Sequence, residues 1–240
     1  MEIFSKLKKW ILLLTILLTS VIASAAEMQV YQTSTIPVTE RDKALKADPA
    51  LSGTNVTVFG KFREFASSVK SSKPKYIIVP SSFLTINSDY KPVYQFALNG
   101  QTSFKYLVLS TKPEWNKDSM AEGNVGIVDE LGRTGTKKFV QDNVGKFKLV
   151  KRVTKTDDLM PLLVLENAQF IMIRPKNYEI LKKKFTAKTI KVMESKTVDH
   201  PVICVLKDTP QAEIDKLGKL SPVTIKALGY TEVKKTGEGK

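Results

Sequence analysis

The chain has few of the residues on which most catalytic and metal chemistry depends. It contains one cysteine and one histidine among 240 residues. Cys204 has no partner for an internal disulfide, and its apolar neighbours predict a buried, inert thiol. His200 precedes Pro201, which is typical of a hinge or a surface turn rather than of a general base. With no metal-ligand cluster and no Gly-x-Ser-x-Gly elbow, the sequence predicts no enzyme, no metal site and no cofactor.

Long hydrophobic runs are also absent after the amino terminus, so the rest of the chain is expected to be free of membrane spans. The amino terminus itself carries Lys6, Lys8 and Lys9, then an apolar run at 10–22 and small residues at 23–26. This is the layout of a secretory signal peptide with an Ala-x-Ala type cleavage site. The alternative is an uncleaved membrane anchor, but the run is shorter than the roughly 20 residues that span a bilayer. We predict a signal peptide at 1–25 and a periplasmic mature protein.

The charge balance is strongly positive, at +14 for the full chain. Residues 1–25 hold three lysines and one glutamate, so the mature chain is near +12. Such a charge often indicates nucleic-acid binding, but an exported protein does not meet nucleic acid in the cytoplasm. No nucleic-acid partner is therefore predicted. The densest lysine run, at 182–184, is typical of a solvated helix face. A spread positive field attracts small anions, and it would also favour the acidic surface of an outer membrane.

Short β-rich runs alternate with stretches of helical spacing, which favours an α/β fold. Residues 28–32, 55–59 and 76–79 predict three parallel strands separated by helices. The same order of elements begins again at 125–128 and includes a strand at 170–173. Two βα halves of this kind predict two lobes, with ligand loops at the carboxyl ends of the strands.

The connection between the halves is predicted from turn residues. Apolar runs at 92–98 and 105–110 flank Asn99-Gly100, which is a strong hairpin signal. The non-periodic segment 111–116 then predicts a crossing to the second lobe. The expected division is a first lobe from 27–111 plus 201–240 and a second lobe from 112–200, with a cleft between them.

The segment 129–136 is the best candidate for an anion-binding loop. Gly132 and Gly135 permit close backbone approach, while Thr134 and Thr136 offer hydroxyl donors. Arg133 adds a forked cationic group, and the helix that follows offers free N–H groups. The alternative is a capped turn without a ligand. The spacing does not match a Walker P-loop.

Two loops of the first lobe are predicted to face this segment, because each follows a strand. Thr33, Ser34 and Thr35 follow the first strand, and Ser81 and Ser82 follow the third. Each loop alone is equally typical of a helix cap. Arg174 and Asn177 end a second-lobe strand and are weaker candidates. The predicted ligand-binding residues are Thr33, Ser34, Thr35, Ser81, Ser82, Asp129, Arg133, Thr134, Gly135 and Thr136.

Four segments together, at 75–82, 123–136, 168–178 and 220–230, make the mature chain resemble the periplasmic substrate-binding proteins of type 2 topology. Within that group it looks most like the phosphate/phosphonate-binding branch of ABC transporter components. The resemblance implies a two-lobed α/β fold with a central ligand cleft. It also implies that Asp129 and residues 133–136 occupy the place of the loop that caps the phosphoryl oxygens.

Two functions are expected from these features. In the first, a monomeric periplasmic protein captures a small oxyanion, phosphate-like or phosphonate-like, and delivers it to an ABC permease by lobe closure. In the second, the same fold is a ligand-sensing or accessory protein that signals to a membrane partner.

Overall fold

The computed structural model describes residues 25–111, 117–183 and 191–237. The predicted signal peptide lies outside the described residues except for Ala25, and so do residues 112–116 of the predicted crossing. In the part of the chain that is described, no helix is long and apolar enough to cross a bilayer. The fold is α/β, as predicted, with two mixed sheets flanked by helices.

The strands belong to two separate sheets. The first sheet contains β1 (Ala26–Tyr31), β2 (Thr54–Phe59), β3 (Tyr76–Val79), β4 (Tyr90–Ala97), β10 (Val202–Leu206) and β11 (Glu232–Lys235). Its strand order is β11-β4-β10-β3-β1-β2. The second sheet contains β5 (Ser103–Ser110), β6 (Asn124–Val128), β7 (Leu149–Val153), β8 (Phe170–Ile173) and β9 (Lys191–Asp199). Its strand order is β7-β6-β8-β5-β9. We call the parts built on these sheets lobe I and lobe II.

Helices pack on both sheets. They are α1 (Val38–Lys46), α2 (Phe62–Ser72), α3 (Lys117–Glu122), α4 (Gly132–Asn143), α5 (Leu159–Val164), α6 (Pro175–Leu181), α7 (Gln211–Leu217) and α8 (Pro222–Ala227). Every residue of β3 and of β8 is buried, as expected for central strands covered on both faces. β1 is parallel to β2 and β3, and β6 is parallel to β7 and β8, so their carboxyl ends collect at one edge of each sheet.

The predicted hairpin between residues 92–98 and 105–110 is wrong. Asn99 and Gly100 do turn the chain, with φ of 52° and 81°, but the turn closes only the single bridge Leu98–Gln101. β4 pairs with β10 and β11, whereas β5 pairs with β8 and β9. Both edges of each strand are therefore occupied, and neither is open to the other. The chain passes to the second sheet through this turn, ahead of the predicted crossing at 111–116.

The second connection returns the chain from β9 to β10 at residues 200–201. The backbone N–H of His200 donates to the carbonyl of Thr102 at 2.8 Å, so a hydrogen bond joins the two connections. One hydrophobic cluster combines buried side chains of both lobes, among them Tyr31 and Phe62 from lobe I and Leu131 and Phe139 from lobe II. The lobes are thus in contact along one side of the cleft.

Candidate functional site

Loops from opposite lobes meet in the cleft. Thr33 follows β1, and Asp129 and Glu130 follow β6. The Tyr31 hydroxyl donates to the carbonyl oxygen of Asp129 at 2.6 Å, and the Thr33 hydroxyl donates to the Glu130 carboxylate at 2.6 Å. The carboxyl ends of parallel strands are where open α/β sheets bind ligands, so the loops joined by these contacts border the candidate site.

Glu130 is the centre of a buried polar network. Its Oε1 atom also accepts hydrogen bonds from the Tyr106 hydroxyl at 2.8 Å and from Arg174 Nη2 at 3.0 Å. Arg174 Nε donates to the Tyr106 oxygen at 3.2 Å. The side chains of Arg174 and Glu130 are only 11% and 4% exposed. A buried ion pair of this kind depends on such additional hydrogen bonds.

The electrostatics of the network follow from its burial. Burial opposes the charge on Arg174, but Glu130, Tyr106 and Tyr230 together outweigh it and hold the pKa of Arg174 well above its usual value. Burial raises the pKa of the Tyr106 hydroxyl, which therefore stays protonated and donates a hydrogen bond to Glu130. The charge of Arg174 is neutralised inside the protein by Glu130.

A cavity of about 370 Å³ lies beside the loop between β1 and α1, and we call it the Arg41 cavity. Lobe I lines it with Thr33, Ser34, Thr35 and Arg41, and lobe II with residues 154–157 after β7. Its volume is within the range of small-molecule sites. The hydroxyls and the guanidinium are the donors that an oxyanion requires.

Arg41 is a buried cation without an anionic partner among the residues that the structure describes. The residue is 3% exposed, and its Nη1 atom donates to the carbonyl of Gln32 at 3.2 Å. Nε is buried and has no hydrogen-bond partner in the described part of the chain. No ion pair formed among the described residues includes Arg41. Burial lowers the pKa of Arg41, although Tyr31 and Tyr230 oppose the change. Such a charge is costly until an anion pairs with it.

The other charged residues of the Arg41 cavity are exposed. Lys61 and Glu64 form an ion pair at 3.1 Å on the surface, and Lys155 and Asp157 lie at the opposite rim. Exposed pairs contribute little, because water screens them. Arg41 is therefore the charge that dominates the interior of this cavity.

A second cavity, of about 290 Å³, lies beside the two connections between the lobes, and we call it the ring cavity. The rings of Phe104, His200 and Tyr230 are among its walls. His200 stacks on Phe104 with centroids 4.8 Å apart, and its ring meets that of Tyr230 edge-on at 5.2 Å. Thr33 and Ser34 line this cavity as well as the Arg41 cavity.

His200 is a buried and uncharged imidazole. It is 7% exposed, and no described residue forms a hydrogen bond with its Nδ1 atom. Burial, together with the positive charges of Arg174 and Lys176, lowers the pKa of His200 to about 4. The ring wall therefore carries no charge at neutral pH.

The burial of His200 predicts a specific pH dependence of stability. An unfolded histidine titrates near pH 6.5, whereas the folded one stays neutral down to about pH 4. Between these values the unfolded state binds more protons, so His200 should lower the free energy of unfolding by about 3 kcal/mol as the pH falls from 7 to 4. Urea unfolding at several pH values measures this loss, and His200→Gln should lack that part of it. Since the chain has a single histidine, an unchanged pH dependence in the variant would mean that the imidazole is solvated.

The structure brings together only part of the predicted site. Thr33, Ser34 and Thr35 line the Arg41 cavity. Ser81 and Ser82 begin a short 3-10 helix instead and line neither cavity. The Ser81 hydroxyl donates to the carbonyl of Asp199 at 3.0 Å, so it ties lobe I to the end of β9.

The lobe II residues of the predicted site are also away from both cavities. Residues 133–136 are helical rather than a loop, because Gly132, at φ 71°, turns the chain directly into α4. Arg133 and Thr134 are exposed there, and Gly135 is half-buried. Thr136 is fully buried. Its hydroxyl donates to the Asp129 carboxylate at 2.8 Å and accepts from the N–H of Leu131 at 3.1 Å.

Arg41 and Glu130 are the two functional candidates that the sequence did not single out. Arg41 stands four residues before Leu45, and the two form the buried side of α1. An arginine on the apolar stripe of a short helix, just after a hydroxyl-rich loop, was the available signal. Glu130 is one of two adjacent acids, and nothing in the local pattern indicates which of them is buried. Arg174 and Asn177 do lie in the cleft, where both line the ring cavity.

Comparison with known proteins identifies the fold. No family model and no curated protein sequence matches the chain. Among solved structures, XAC2383 from Xanthomonas citri bound to chloride ion is similar with a TM-score of 0.65 and 10% identity, over 88% of this chain and 91% of that chain. PhnD1 from Prochlorococcus marinus in complex with methylphosphonate gives a TM-score of 0.62 and 10% identity, over 88% and 92%.

A third structure, the substrate binding protein of an amino acid ABC transporter, gives a TM-score of 0.53 and 11% identity, over 85% of this chain and 92% of that chain. The chain therefore has the two-lobed α/β fold of type 2 periplasmic binding proteins, as the sequence predicts. Similarity at this level of identity establishes the fold, and the ligand has to be argued from the site.

Proposed function

We propose that this protein is a periplasmic solute-binding protein that captures a small oxyanion, phosphate-like or phosphonate-like, between its lobes for ABC-type uptake. The observation that carries the proposal is Arg41, a buried guanidinium with an unpaired Nε and no carboxylate partner among the described residues. A bound oxyanion would pair with this charge.

The hydroxyl groups of Thr33, Ser34 and Thr35 complete the proposed site. They lie on the same cavity wall as Arg41 and offer neutral donors to the remaining anion oxygens. Residues 154–157 come from lobe II, so a ligand in this cavity would touch both lobes at once. A ligand that makes more contacts in the closed form stabilises that form, which is the basis of capture by closure.

The wider properties of the chain agree with this role. PhnD1 was solved with methylphosphonate, and another neighbour serves an amino acid ABC transporter, so proteins of this fold hold small charged molecules. We further propose that residues 1–25 direct export, that the mature protein is a monomer without catalytic activity, and that its membrane partner is an ABC permease. Stimulation of a permease's ATPase by the liganded protein would separate uptake from the sensing alternative.

The first test is thermal stabilisation of the mature protein. A ligand that binds only the native state, at 100 times its Kd, should add about 2.7 kcal/mol to the free energy of unfolding. For a chain of this size that raises Tm by roughly 5–10 °C. Differential scanning fluorimetry with phosphate, alkylphosphonates, sulfate, carboxylates and amino acids measures the effect. Stabilisation by uncharged or cationic compounds alone would contradict the proposal.

A further inference from the structure

The ring cavity extends the candidate site toward the connections between the lobes. It is lined by the turn after β4, by Phe104 of β5, by residues 174–177 after β8, by His200 and by Tyr230. It shares Thr33 and Ser34 with the Arg41 cavity. The two cavities therefore adjoin at these two residues.

The two cavities differ in what they offer. Arg41 has no anionic partner among the described residues, whereas Arg174 in the ring cavity is already paired with Glu130 at 3.0 Å. Lys176 also lines the ring cavity, but it is exposed, so water screens its charge, and its ammonium donates to the carbonyl of Gly229 at 2.8 Å. The rings of Phe104, His200 and Tyr230 give the ring cavity an aromatic wall that is uncharged at neutral pH. The Arg41 cavity suits an oxyanion, and the ring cavity suits a flat organic group.

His200 shapes the wall of the ring cavity. Its imidazole lines the cavity, stacks on Phe104 with centroids 4.8 Å apart and meets the ring of Tyr230 edge-on at 5.2 Å. Aromatic faces and edges of this kind favour packing against another planar ring. The volume is sufficient, since a cavity of about 150 Å³ already holds benzene and this one measures about 290 Å³.

The geometry points to a ligand with two parts: an oxyanion head in the Arg41 cavity and a planar ring in the ring cavity. The substrate class is thus a ring-bearing organic oxyanion, such as an aryl or heterocyclic phosphonate or phosphate monoester, rather than inorganic phosphate. This inference rests on the proposed function, because it assumes that the head group binds beside Arg41.

Matched pairs of probes test the head and the ring separately. The pairs are methylphosphonate and phenylphosphonate, methanesulfonate and benzenesulfonate, and acetate and benzoate. For a head group that binds, titration calorimetry on the mature protein should give at least tenfold tighter binding for the ring compound. If no compound of any pair binds, the oxyanion function itself fails. If the methyl compound binds as tightly as its ring partner, the function stands and the ring subsite is overturned.

A cavity-filling variant locates the effect. Ser103→Trp places a large side chain in the ring cavity from a half-exposed position of β5. It should remove the tenfold advantage of the ring compound and leave the methyl compound within about twofold of wild type. Lys105→Trp is the control, since Lys105 is exposed on the same strand and does not line the cavity. Equal losses for both compounds in Ser103→Trp, or retention of the full advantage, would overturn the inference.

Discussion

Replacing Arg41 with methionine is expected to weaken oxyanion binding by one to two orders of magnitude. The guanidinium is buried on the wall of the Arg41 cavity, and a hydrogen bond to a charged group contributes about 1.5–3 kcal/mol. Methionine keeps much of the volume and removes the charge. Titration calorimetry with the oxyanion that gives the largest thermal shift measures the loss.

Two variants make this experiment decisive. Arg133→Met removes one arginine from an exposed position at the start of α4, outside both cavities, and should leave the affinity unchanged. Arg41→Lys keeps the charge but loses the forked geometry, so its affinity should fall between wild type and Arg41→Met. If Arg133→Met weakened oxyanion binding and Arg41→Met left it unchanged, the binding site would lie at the start of α4, as the sequence predicted. The Tm of each unliganded variant confirms that it is folded.

The sequence predicted most of the strands of this fold well and their pairing and connection poorly. The spacing of apolar residues predicts which segments are strands and whether one or both faces are buried. Tyr76–Val79 and Phe170–Ile173, for example, are continuous apolar runs, and both are strands in which every residue is buried. Strand pairing is not a local property. Asn99-Gly100 has the residues of a hairpin turn, and it does form a turn, yet β4 and β5 find partners far away in the chain. Competition between distant strands decided the outcome.

The candidate site shows the same division. The hydroxyl-rich residues 33–35 were predictable, because the loop follows a buried parallel strand and must open at the sheet edge. The segment 129–136 was predicted to be a free loop from its glycines and threonines. In the structure Thr136 lies in the first turn of α4, and its hydroxyl forms hydrogen bonds with Asp129 and Leu131, which precede the helix. This hydroxyl is therefore used within the protein rather than offered to a ligand. Composition indicates possible donors, and only tertiary contacts show which donors are already in use.

The buried network around Glu130 gives the largest expected effect on stability. Glu130→Ala would leave Arg174 charged and buried without its carboxylate, and it would remove an acceptor from Tyr106 and from Thr33. Loss of one member of a buried pair typically costs 3–5 kcal/mol, because the remaining charge is left uncompensated. Urea unfolding followed by circular dichroism should show a decrease of about that size in the free energy of unfolding. Glu64→Ala, at an exposed ion pair with Lys61, is the matched control and should cost less than about 1 kcal/mol.

A double-mutant cycle distinguishes an uncompensated charge from lost packing. The cycle uses Glu130→Met, Arg174→Met and the double variant. If the cost of removing Glu130 comes from the uncompensated charge of Arg174, then adding Arg174→Met to Glu130→Met should recover most of the lost stability, since apolar replacements of a buried pair are often neutral. The expected coupling energy is favourable and on the order of 1–3 kcal/mol. Additive losses would mean that the two charges do not interact. A small effect of Glu130→Ala alone would mean that water reaches Arg174 in solution and compensates its charge.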